Sequence, residues 1–523
     1  MSLQQEVENQ LIKDSVIDRK KRMAVAKLPF LEKPEEKLTE NKKVAIKRLD
    51  NVLRKYANND ENRTEMMKVF QKFRDKGHLL MEEELTEEQL VKVYKSGVGY
   101  TIPWDIVFKP DSLSTPLRPV FDASACTPNG TSLNNILAKG DPELINLVGM
   151  LLGWMMGKVG LVGDISQFYP AVHLHEDDWK YQKIVMRENM DPKGNLINGV
   201  ICKLIFGVRP VGSQTEEVIR KLAEELKDED PVANGEVIKL LLLYRYVDDM
   251  MKGVQTIQEA LILMEKAEEA LGQVEMLVNG WSMSGEKPPE SFSKDGASVG
   301  VCGFTWYPVA DIYRLNISSL FIGKKKRGQI PKEILVFDGK MSMEQFVPSK
   351  ITRREVTSIV ARIWDPLGKL TPLTVRFKRD LRRMIAGGYD WDSPISAELR
   401  TEWLHNFQLI EDVRDILYAR CSLPVNAKRS TCRLLVMCDA AEQVVVNSVY
   451  VGYEKQDNSY SCSQLFGRGV LATTGRTIAQ NELQGLSNGA DLVQTMMNFM
   501  EEWIKEAEID KVKYCYLPRR FRL

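Results

Sequence analysis

Residues 239–254 read KLLLLYRYVDDMMKGV, and this stretch decides the fold prediction. Two adjacent carboxylates, Asp248 and Asp249, stand between an apolar, strand-like stretch over Leu240–Val247 and a second apolar stretch that begins at Met250. Neighbouring anions at a hairpin tip repel each other unless a cation lies between them, so the pair suits a divalent metal with oxygen ligands. The alternative is a solvated Asp-Asp hairpin turn, which is common because aspartate tolerates turn geometry.

A third aspartate favours the metal interpretation. Residues 159–172 read VGLVGDISQFYPAV, an apolar strand that ends on Asp164 and is followed by the aromatic pair Phe168 and Tyr169. Two ions about 3.5 to 4 Å apart can clamp the attacking and leaving oxygens of a phosphoryl transfer, and shared carboxylates hold such ions. The sequence therefore predicts a catalytic two-metal site whose ligands are Asp164, Asp248 and Asp249.

These residues resemble a known family, the reverse transcriptases of BEL/Pao long-terminal-repeat retrotransposons. The tetrad over 246–249, YVDD, matches the active-site box of that family, and Asp164 with Tyr169 five residues later matches its first palm motif. The resemblance extends from about residue 23 almost to the end. Further matching stretches follow in the expected order: LRPVFDASA (117–125), IFGVRP (205–210), CGFTWYP (302–308), VARIWDPLGKLTPLTVRFKRDL (360–381) and GYDWDSPI (388–395).

The resemblance implies an α+β right-hand polymerase with fingers, palm and thumb, followed by a connection and a partial ribonuclease H-like α/β domain. Its implied segments are a helical lead-in over 1–99, fingers and palm over 100–310, a basic thumb and connection over 311–429, and a truncated ribonuclease H-like domain over 430–523. Within the palm, the resemblance implies a helix over about Thr215–Lys227 that supports the templating base.

The implied activity is that of an RNA-directed DNA polymerase, which extends a primer with dNTPs on an RNA or DNA template. Two Mg²⁺ ions, or Mn²⁺ in their place, would be held by the three aspartates. The alternative function is that of a catalytically dead, nucleic-acid-binding relic of a retroelement. An RNA-dependent RNA polymerase shares this chemistry but is disfavoured by Tyr169.

The resemblance also implies residues that bind the incoming nucleotide. Arg118 lies in a strand-like run over Leu117–Phe121, and its planar guanidinium suits a triphosphate. Lys109 is a second phosphate contact, and Tyr246 of the tetrad belongs to the same site. The ring of Tyr169 would collide with a ribose 2′-hydroxyl and so select deoxynucleotides. The alternatives are a surface salt bridge for Arg118, surface charge for Lys109 and core packing for Tyr169.

Two further elements follow from the resemblance. Lys287 stands where the family carries a lysine that protonates the pyrophosphate leaving group, although a turn lysine is the preferred interpretation of this residue. Gly303, Phe304 and Trp306 resemble the hairpin that grips the primer end, but an aromatic hairpin core would look the same.

The charge of the chain is balanced overall and uneven locally. Its 523 residues hold 72 Lys or Arg and 72 Asp or Glu, and the length alone predicts three or four domains. Residues 321–384 contain 16 basic and 6 acidic residues, a net charge of +10, which suits the phosphates of a template-primer. The alternative is a solvated basic face. The backbone contacts predicted within this block are Lys324, Lys325, Lys326 and Arg327.

The remaining composition excludes several classes of protein. None of the eight cysteines forms a C-x-x-C pair and there are only four histidines, so the sequence does not predict a zinc module. Scattered reduced thiols are typical of an intracellular protein, which is the prediction here. The start, MSLQQEVENQ, carries no signal-peptide core, and the apolar stretch Ile145–Gly163 reads as a helix, a turn and a buried strand instead of a membrane span. The expected location is cytoplasmic, in a virus-like particle, or nuclear. Other parts of a retroelement polyprotein are further expected partners.

The carboxy-terminal segment resembles a ribonuclease H-like domain. Asp439 follows a strand over Leu434–Met437, and Glu482 opens a helical run over Asn481–Ile504. The strand expected to deliver a further aspartate is KVKYCYL over 511–517, after which no aspartate follows. The expectation is an incomplete domain without ribonuclease H activity.

Overall fold

The computed structural model describes residues 3–57, 60–108, 117–141, 144–285, 287–291, 297–317, 337, 339–424, 426–506 and 513–518. The chain divides into two compact units. The first unit comprises Met1–Leu144, Ile165–Leu242 and Glu265–Asn279. The second unit comprises Ile145–Asp164, Leu243–Met264 and Gly280–Leu523.

The helices of the described residues range from single turns to one of 29 residues. They are α1 (Leu3–Ile12), α2 (Pro34–Lys37), α3 (Lys42–Tyr56), α4 (Asp60–Asp75), α5 (Glu87–Leu90), α6 (Leu147–Met156), α7 (Val211–Glu229), α8 (Gly235–Leu243), α9 (Ile257–Gly272), α10 (Met343–Phe346), α11 (Arg353–Ala361), α12 (Thr371–Ala386), α13 (Ala397–Asp412) and α14 (Ile478–Glu506).

The strands of the described residues alternate with these helices along the chain. They are β1 (Ser15–Asp18), β2 (Met23–Ala26), β3 (Leu79–Met81), β4 (Trp104–Phe108), β5 (Leu117–Phe121), β6 (Val159–Ser166), β7 (His173–Leu174), β8 (Lys183–Arg187), β9 (Leu196–Ile201), β10 (Arg245–Tyr246), β11 (Asp249–Val254), β12 (Leu277–Met283), β13 (Val299–Val301), β14 (Phe304–Tyr307), β15 (Ile312–Leu315), β16 (Tyr418–Ala419), β17 (Ala427–Ala440), β18 (Val444–Lys455), β19 (Tyr460–Leu471) and β20 (Lys513–Pro518).

In the first unit, small sheets pack on amphipathic helices. The sheets have the orders β1-β2-β7, β3-β9-β8 and β4-β5. The β4-β5 hairpin alternates buried and exposed residues because successive side chains of a strand point to opposite faces. Its buried Trp104 lies 4.7 Å from Phe70 of α4, centroid to centroid, and this contact seats the hairpin on the helix.

The second unit contains a sheet in the order β10-β11-β6-β12, in which β11 is antiparallel to both β10 and β6. Helix α6 packs on it, and it is almost wholly buried because its sequence, LVGMLLGWMM, is apolar on all sides. Close approach depends on glycine, since a Cβ on Gly157 would lie 2.3 Å from the carbonyl carbon of Gly253 on β11. A Cβ on Gly153 of the helix would likewise lie 2.2 Å from the ring of Tyr244. These glycines bring the helix against the strand that carries Asp249.

Two further sheets complete the second unit, in the orders β13-β14-β15-β16 and β19-β18-β17-β20. In the last sheet, β17, β18 and β19 are sequential antiparallel neighbours, and β20 returns beside β17 in the parallel direction. Strand β18 buries alternate residues along most of its length. Helix α14 connects β19 to β20 and packs on this sheet, where Gly489 contacts Cys438 of β17.

The sequence predictions can be checked against these elements. The α+β class is confirmed, as are the strand at Leu117–Phe121 and the helix predicted at Thr215–Lys227, which extends over Val211–Glu229. The helix, turn and strand within residues 145–163 are also present. In the described part of the chain, no helix is both long enough and apolar enough to cross a membrane.

The prediction of a strand over Leu240–Val247 is wrong. Helix α8 extends to Leu243, and only Arg245 and Tyr246 form a strand before the turn. The helix buries Val237, Leu240 and Leu241, which have helical spacing, whereas a short apolar run alone does not distinguish a strand from a buried helix.

Candidate active site

The Asp248-Asp249 pair lies at the tip of a tight hairpin. Strand β10 pairs with β11 in antiparallel register, with Tyr246 opposite Asp249, so Val247 and Asp248 form a two-residue turn. Val247 has φ +59°, a left-handed conformation that hindered β-branched residues seldom adopt. Such a conformation costs of order 1–3 kcal/mol and persists only where the surroundings enforce it. Here the buried Arg245 donates from Nη1 to the carbonyl oxygen of Val247 at 2.5 Å.

Strand register brings the third aspartate to this tip. Strand β11 pairs with β6 so that Asp249 lies directly opposite Asp164. Residues opposite each other on antiparallel strands have close side chains. One carboxylate oxygen each from Asp164, Asp248 and Asp249 lies within 4.8 Å of the others, so the predicted three acids are brought together.

Mutual repulsion is visible in the electrostatics of Asp249. Burial and the neighbouring Asp248 raise its carboxyl pKa to about 6, and Asp164 adds to this effect. Hydrogen bonds from Cys302 act in the opposite direction. A bound divalent cation would relieve this repulsion, and the all-oxygen donor set suits Mg²⁺ or Mn²⁺. The residues present therefore fit the metal that the sequence predicts.

The strand that carries Asp164 is held from behind by a buried tryptophan. Gly163 precedes Asp164 on β6, and a Cβ there would lie 2.5 Å from the ring of Trp281. Trp281 lies on β12, the other neighbour of β6, and is fully buried. Because side chains alternate between faces, Gly163 and its contact with Trp281 lie on the face opposite Asp164.

A buried arginine fixes the helix behind the sheet. Arg420 is 0% exposed and makes a bidentate ion pair with Asp311, at 2.6 and 2.8 Å. Its Nη1 also donates to the carbonyl oxygens of Trp154 and Gly157, the latter at 3.0 Å. These are carbonyls at the carboxy-terminal end of α6, where a cation complements the helix dipole.

A second turn reaches the acids from the β13-β14 hairpin. Its two turn residues, Cys302 and Gly303, both have positive φ, at +44° and +82°. The backbone N–H of Cys302 donates to Oδ2 of Asp249 at 3.3 Å, and its thiol donates to the same oxygen at 3.5 Å. The thiol is protonated because burial and the nearby Asp249 raise its pKa above the usual range. The turn therefore holds one oxygen of a predicted metal ligand.

Trp364 closes this turn from outside. Its Nε1 donates to the carbonyl oxygen of Cys302 at 3.0 Å. A Cβ on Gly303 would lie 2.2 Å from Cδ1 of the indole ring, so only glycine fits at that position.

Of the residues predicted to bind the nucleotide, one lies beside the acids and the others do not belong to the same unit or lie outside the described residues. Tyr246 lies on β10 directly opposite Asp249. Arg118 lies on β5 and is exposed, and Tyr169 lies in the turn after β6 and is half-buried, with its ring 5.5 Å from that of Phe168. Arg118 and Tyr169 both belong to the first unit. Lys109 lies outside the described residues. These nucleotide assignments stay predictions.

Some of the other predicted site residues are exposed, some are buried, and some lie outside the described residues. Lys287 is exposed in a segment without regular structure. Phe304 and Trp306 are 0% exposed, so their rings form the core of the hairpin, and a primer contact there would come from the turn at Gly303. The cluster predicted to contact the nucleic-acid backbone, Lys324–Arg327, lies outside the described residues.

The family of the carboxy-terminal part can now be stated. Its sheet has three sequential antiparallel strands, a helix and a fourth strand parallel to the first, and residues 352–511 match the family model described as "Pao retrotransposon-like RNaseH-like domain". Residues 352–511 are therefore similar to this family, and we call them the Pao RNaseH-like domain. This domain includes Trp364 and the helices α11 to α13 before the sheet.

Comparison with solved structures finds a similar fold in foamy viral enzymes. A foamy viral protease-reverse transcriptase (dRH) in complex with ds DNA has a TM-score of 0.49 and 12% identity, covering 88% of this chain and 70% of that chain. The foamy viral protease-reverse transcriptase in complex with an RNA/DNA hybrid has a TM-score of 0.45 and 12% identity, covering 88% and 54%. No curated protein matches the chain. The similarity to a known family therefore lies in residues 352–511.

Within the Pao RNaseH-like domain, the two predicted acids are arranged differently from the cluster of Asp164, Asp248 and Asp249. Asp439 lies on β17, and Glu482 is exposed on α14. Cys438 contacts α14, so strand alternation turns Asp439 to the other face of the sheet. Within the described ranges, these three aspartates form the only group of three or more potential metal ligands.

Sequence reasoning missed three residues that support the site: Cys302, Trp364 and Arg420. Cys302 and Trp364 stand inside stretches that match the BEL/Pao family, CGFTWYP and VARIWDPLGKL, which was the available signal. No local pattern marks Arg420, whose partners lie more than 100 residues away in sequence.

Proposed function

We propose that the chain is an RNA-directed DNA polymerase that extends a primer with dNTPs. The observation that carries this proposal is the register of β11 against β6, which sets Asp249 opposite Asp164, with Asp248 at the adjacent tip. Three carboxylates around one point, two on paired strands and one on the turn between strands, are what a two-metal nucleotidyl transfer requires.

Asp164, Asp248 and Asp249 would hold the metal ions. Two Mg²⁺ ions bound there would activate the primer 3′-hydroxyl and neutralise the charge of the pyrophosphate leaving group. The protein's own residues hold the carboxylates in position before the ions bind. The Cys302 N–H does this for Asp249.

The incoming nucleotide would be bound by the residues predicted from the sequence. The exposed guanidinium of Arg118 suits bidentate pairing with phosphate oxygens. Lys109 is a second candidate contact, and Tyr246 adjoins Asp249 across the hairpin. Tyr169 would exclude a ribose 2′-hydroxyl. Lys287 is the candidate proton donor to pyrophosphate.

The partner would be a template-primer of RNA or DNA. Its phosphates would be neutralised in part by the cluster Lys324–Arg327, and its primer end would lie against the Cys302–Gly303 turn. A partner of this kind agrees with the Pao retrotransposon-like family of residues 352–511.

The test is extension of a DNA primer annealed to an RNA template by the purified chain, with Mg²⁺ and dNTPs. Asp248→Asn should reduce extension at least about 1,000-fold, because it removes a metal ligand, and should leave template-primer binding within a few fold. Asp390→Asn, which changes an exposed aspartate of the second unit, is the matched control and should extend normally.

Two results would change the assignment. Extension by Asp248→Asn would contradict the two-metal site. Tight template-primer binding without extension by the unaltered chain would instead support the alternative, a nucleic-acid-binding relic.

Nucleotide selection is tested separately at Tyr169. Tyr169→Val should raise incorporation of ribonucleotides relative to deoxynucleotides by about 10-fold or more, because space for the 2′-hydroxyl opens. The ratio is measured by single-nucleotide kinetics. An unchanged ratio would assign Tyr169 to core packing.

A further inference from the structure

The motif WDPLG takes no part in the proposed chemistry. Residues 364–368 read WDPLG and lie within the longest stretch that matches the BEL/Pao family. We call this segment the WDPLG turn. It lies between α11 and α12, inside the Pao RNaseH-like domain.

The WDPLG turn is fixed by its own aspartate. The carboxylate of Asp365 accepts hydrogen bonds from the backbone N–H groups of Lys369, at 2.9 Å, and Leu370, at 2.7 Å. The N–H of Gly368 donates to the carbonyl oxygen of Asp365 at 3.1 Å, and Gly368 has φ +65°. The carboxylate thus satisfies the N–H groups of the two residues that precede α12 and sets the direction of the chain before the helix.

One side of the WDPLG turn is anchored on β19. The N–H of Gly467 donates to the carbonyl oxygen of Leu367 at 2.9 Å. Backbones touch here, since a Cβ on Gly368 would lie 1.8 Å from the carbonyl oxygen of Gly467. The Lys369 ammonium also donates to the carbonyl oxygen of Gln464, beside a register shift in the β18-β19 pairing. The contact is therefore specific to this irregular part of β19.

The other side of the WDPLG turn reaches the polymerase acids. Trp364 donates from Nε1 to the carbonyl oxygen of Cys302, and the N–H of Cys302 donates to Oδ2 of Asp249. A hydrogen bond to one carboxylate oxygen fixes the rotation of the group and hence the direction of the other oxygen. Both turn residues have positive φ, which is rare for a non-glycine residue such as Cys302, and the bond from Trp364 adds an external contact to the peptide that joins them.

We propose that Trp364 is a positioning residue of the polymerase site, through which the Pao RNaseH-like domain orients the Asp249 carboxylate for metal binding. This inference rests on the proposed function for its role in catalysis. The contacts that carry it all lie within the second unit. Trp364 is 49% exposed, and the feature that bears on Asp249 is the hydrogen bond from its indole N–H.

The first test measures metal binding without activity. Mn²⁺ binding to the full chain is measured by the electron paramagnetic resonance of free Mn²⁺, with Asp248→Asn identifying the site. Trp364→Phe keeps a ring and removes the N–H, and we expect about 3- to 10-fold weaker Mn²⁺ binding, the effect of one hydrogen bond. Trp391→Phe is the matched control, since Trp391 is 46% exposed in the same unit and contacts Arg353 and Arg354.

A second variant approaches the same contact from β19. Gly467→Ala adds a Cβ that would lie 2.4 Å from the carbonyl oxygen of Gly368, which displaces the WDPLG turn. We expect Mn²⁺ binding to weaken in the same direction as in Trp364→Phe, although Gly467 contacts none of the acids. Circular dichroism of both variants confirms that the fold is retained.

The kinetic readout separates positioning from general damage. In primer extension, Trp364→Phe should lower kcat about 3- to 10-fold at limiting Mg²⁺ and leave the KM for dNTP unchanged, and high Mg²⁺ should restore most of the rate. A merely structural role would not give rescue by metal.

The outcomes distinguish this inference from the proposed function. Mn²⁺ binding equal to that of the unaltered chain in both Trp364→Phe and Gly467→Ala would overturn the positioning role, whatever the polymerase activity. Weaker binding in both variants, with no extension by the unaltered chain, would support the positioning role and overturn the proposed polymerase.

Discussion

Two sheets of the second unit each carry acidic residues, and they differ in how the acids are delivered. In the β10-β11-β6-β12 sheet, adjacent antiparallel strands place Asp249 opposite Asp164, and a two-residue turn adds Asp248. In the β19-β18-β17-β20 sheet, one acid lies on a strand and the other on a helix. Strand register alone brings Asp164, Asp248 and Asp249 together. The positions of Asp439 and Glu482 relative to each other depend instead on how a helix packs on the sheet.

The two sheets also differ in regularity. Strands β17, β18 and β19 have 14, 12 and 12 residues, and β18 alternates buried and partly exposed side chains. Strand β10 has two residues, followed by a left-handed Val247. Strain and like charges therefore concentrate in the sheet that holds the acid cluster, as expected of a functional site.

The largest expected effect comes from changing one acid in each sheet. Asp164→Asn should lower primer extension at least about 1,000-fold, because a metal ligand is lost. Asp439→Asn should leave extension within about twofold. The measurement is extension rate at saturating dNTP for both variants. Comparable losses in the two variants would show that the sheets act as one site.

A second comparison concerns the buried polar groups behind each sheet. Arg420→Ala should lower the free energy of unfolding by about 3–5 kcal/mol, since Asp311 and the carbonyls of α6 lose their cation. Asn447→Ala in the Pao RNaseH-like sheet removes neutral hydrogen bonds to Cys438 and Gly485 and should cost about 1–2 kcal/mol. Urea denaturation of the two variants gives both values.

The control for these variants is Arg354→Ala. Arg354 pairs with Asp392 at the surface, so its removal should cost less than about 1 kcal/mol. If Arg420→Ala cost no more than Arg354→Ala, the buried ion pair would not be what holds α6.

The third prediction uses the pKa of Asp249, which burial and the neighbouring Asp248 raise from an ordinary value of 3.8 to about 6 in the folded chain. Because the folded state raises this pKa, ionisation destabilises it, and the penalty appears as pH rises from about 4 to above 6. In EDTA, Asp249→Asn should therefore stabilise the protein by roughly 2–3 kcal/mol at pH 8. At pH 3.5 the gain should vanish. A gain that is the same at both pH values would contradict the electrostatic origin.

The smallest expected effect is on RNA cleavage, which tests the acids of the β19-β18-β17-β20 sheet. The chain should leave the RNA strand of an RNA/DNA hybrid intact, even with Mn²⁺, because Asp439 and Glu482 join no group of three metal ligands among the described residues. Gel analysis of labelled hybrid is the measurement. Cleavage that disappears in Asp439→Asn would show that another carboxylate completes a second site.

Much of the acid cluster could be predicted from the sequence, for a physical reason. Its ligands stand in short local patterns, an apolar strand before Asp164 and a hairpin tip at Asp248. Strand pairing then needs only the register to bring them together. The family resemblance supplied the Pao-type carboxy-terminal domain, which residues 352–511 confirm.

The parts that could not be predicted depend on distant contacts. The run before Tyr244 was predicted to be a strand, because four consecutive leucines fit a buried strand and a helix alike. Phe304 and Trp306 looked like site residues, and burial of both rings was not readable from their spacing. Trp364 meets Cys302 across 62 residues of sequence.

The ion pair of Arg420 and Asp311 bears on how shorter versions of this protein should be cut. A fragment that stops at residue 310, the end of the fingers and palm segment predicted from the sequence, would keep all three clustered aspartates and lose both members of the pair. The carbonyls at the end of α6 would then lose the guanidinium that satisfies them, and the helix would lose the cation at its carboxy-terminal end. Residues 1–310 expressed alone should therefore be less stable than a fragment that continues past Arg420.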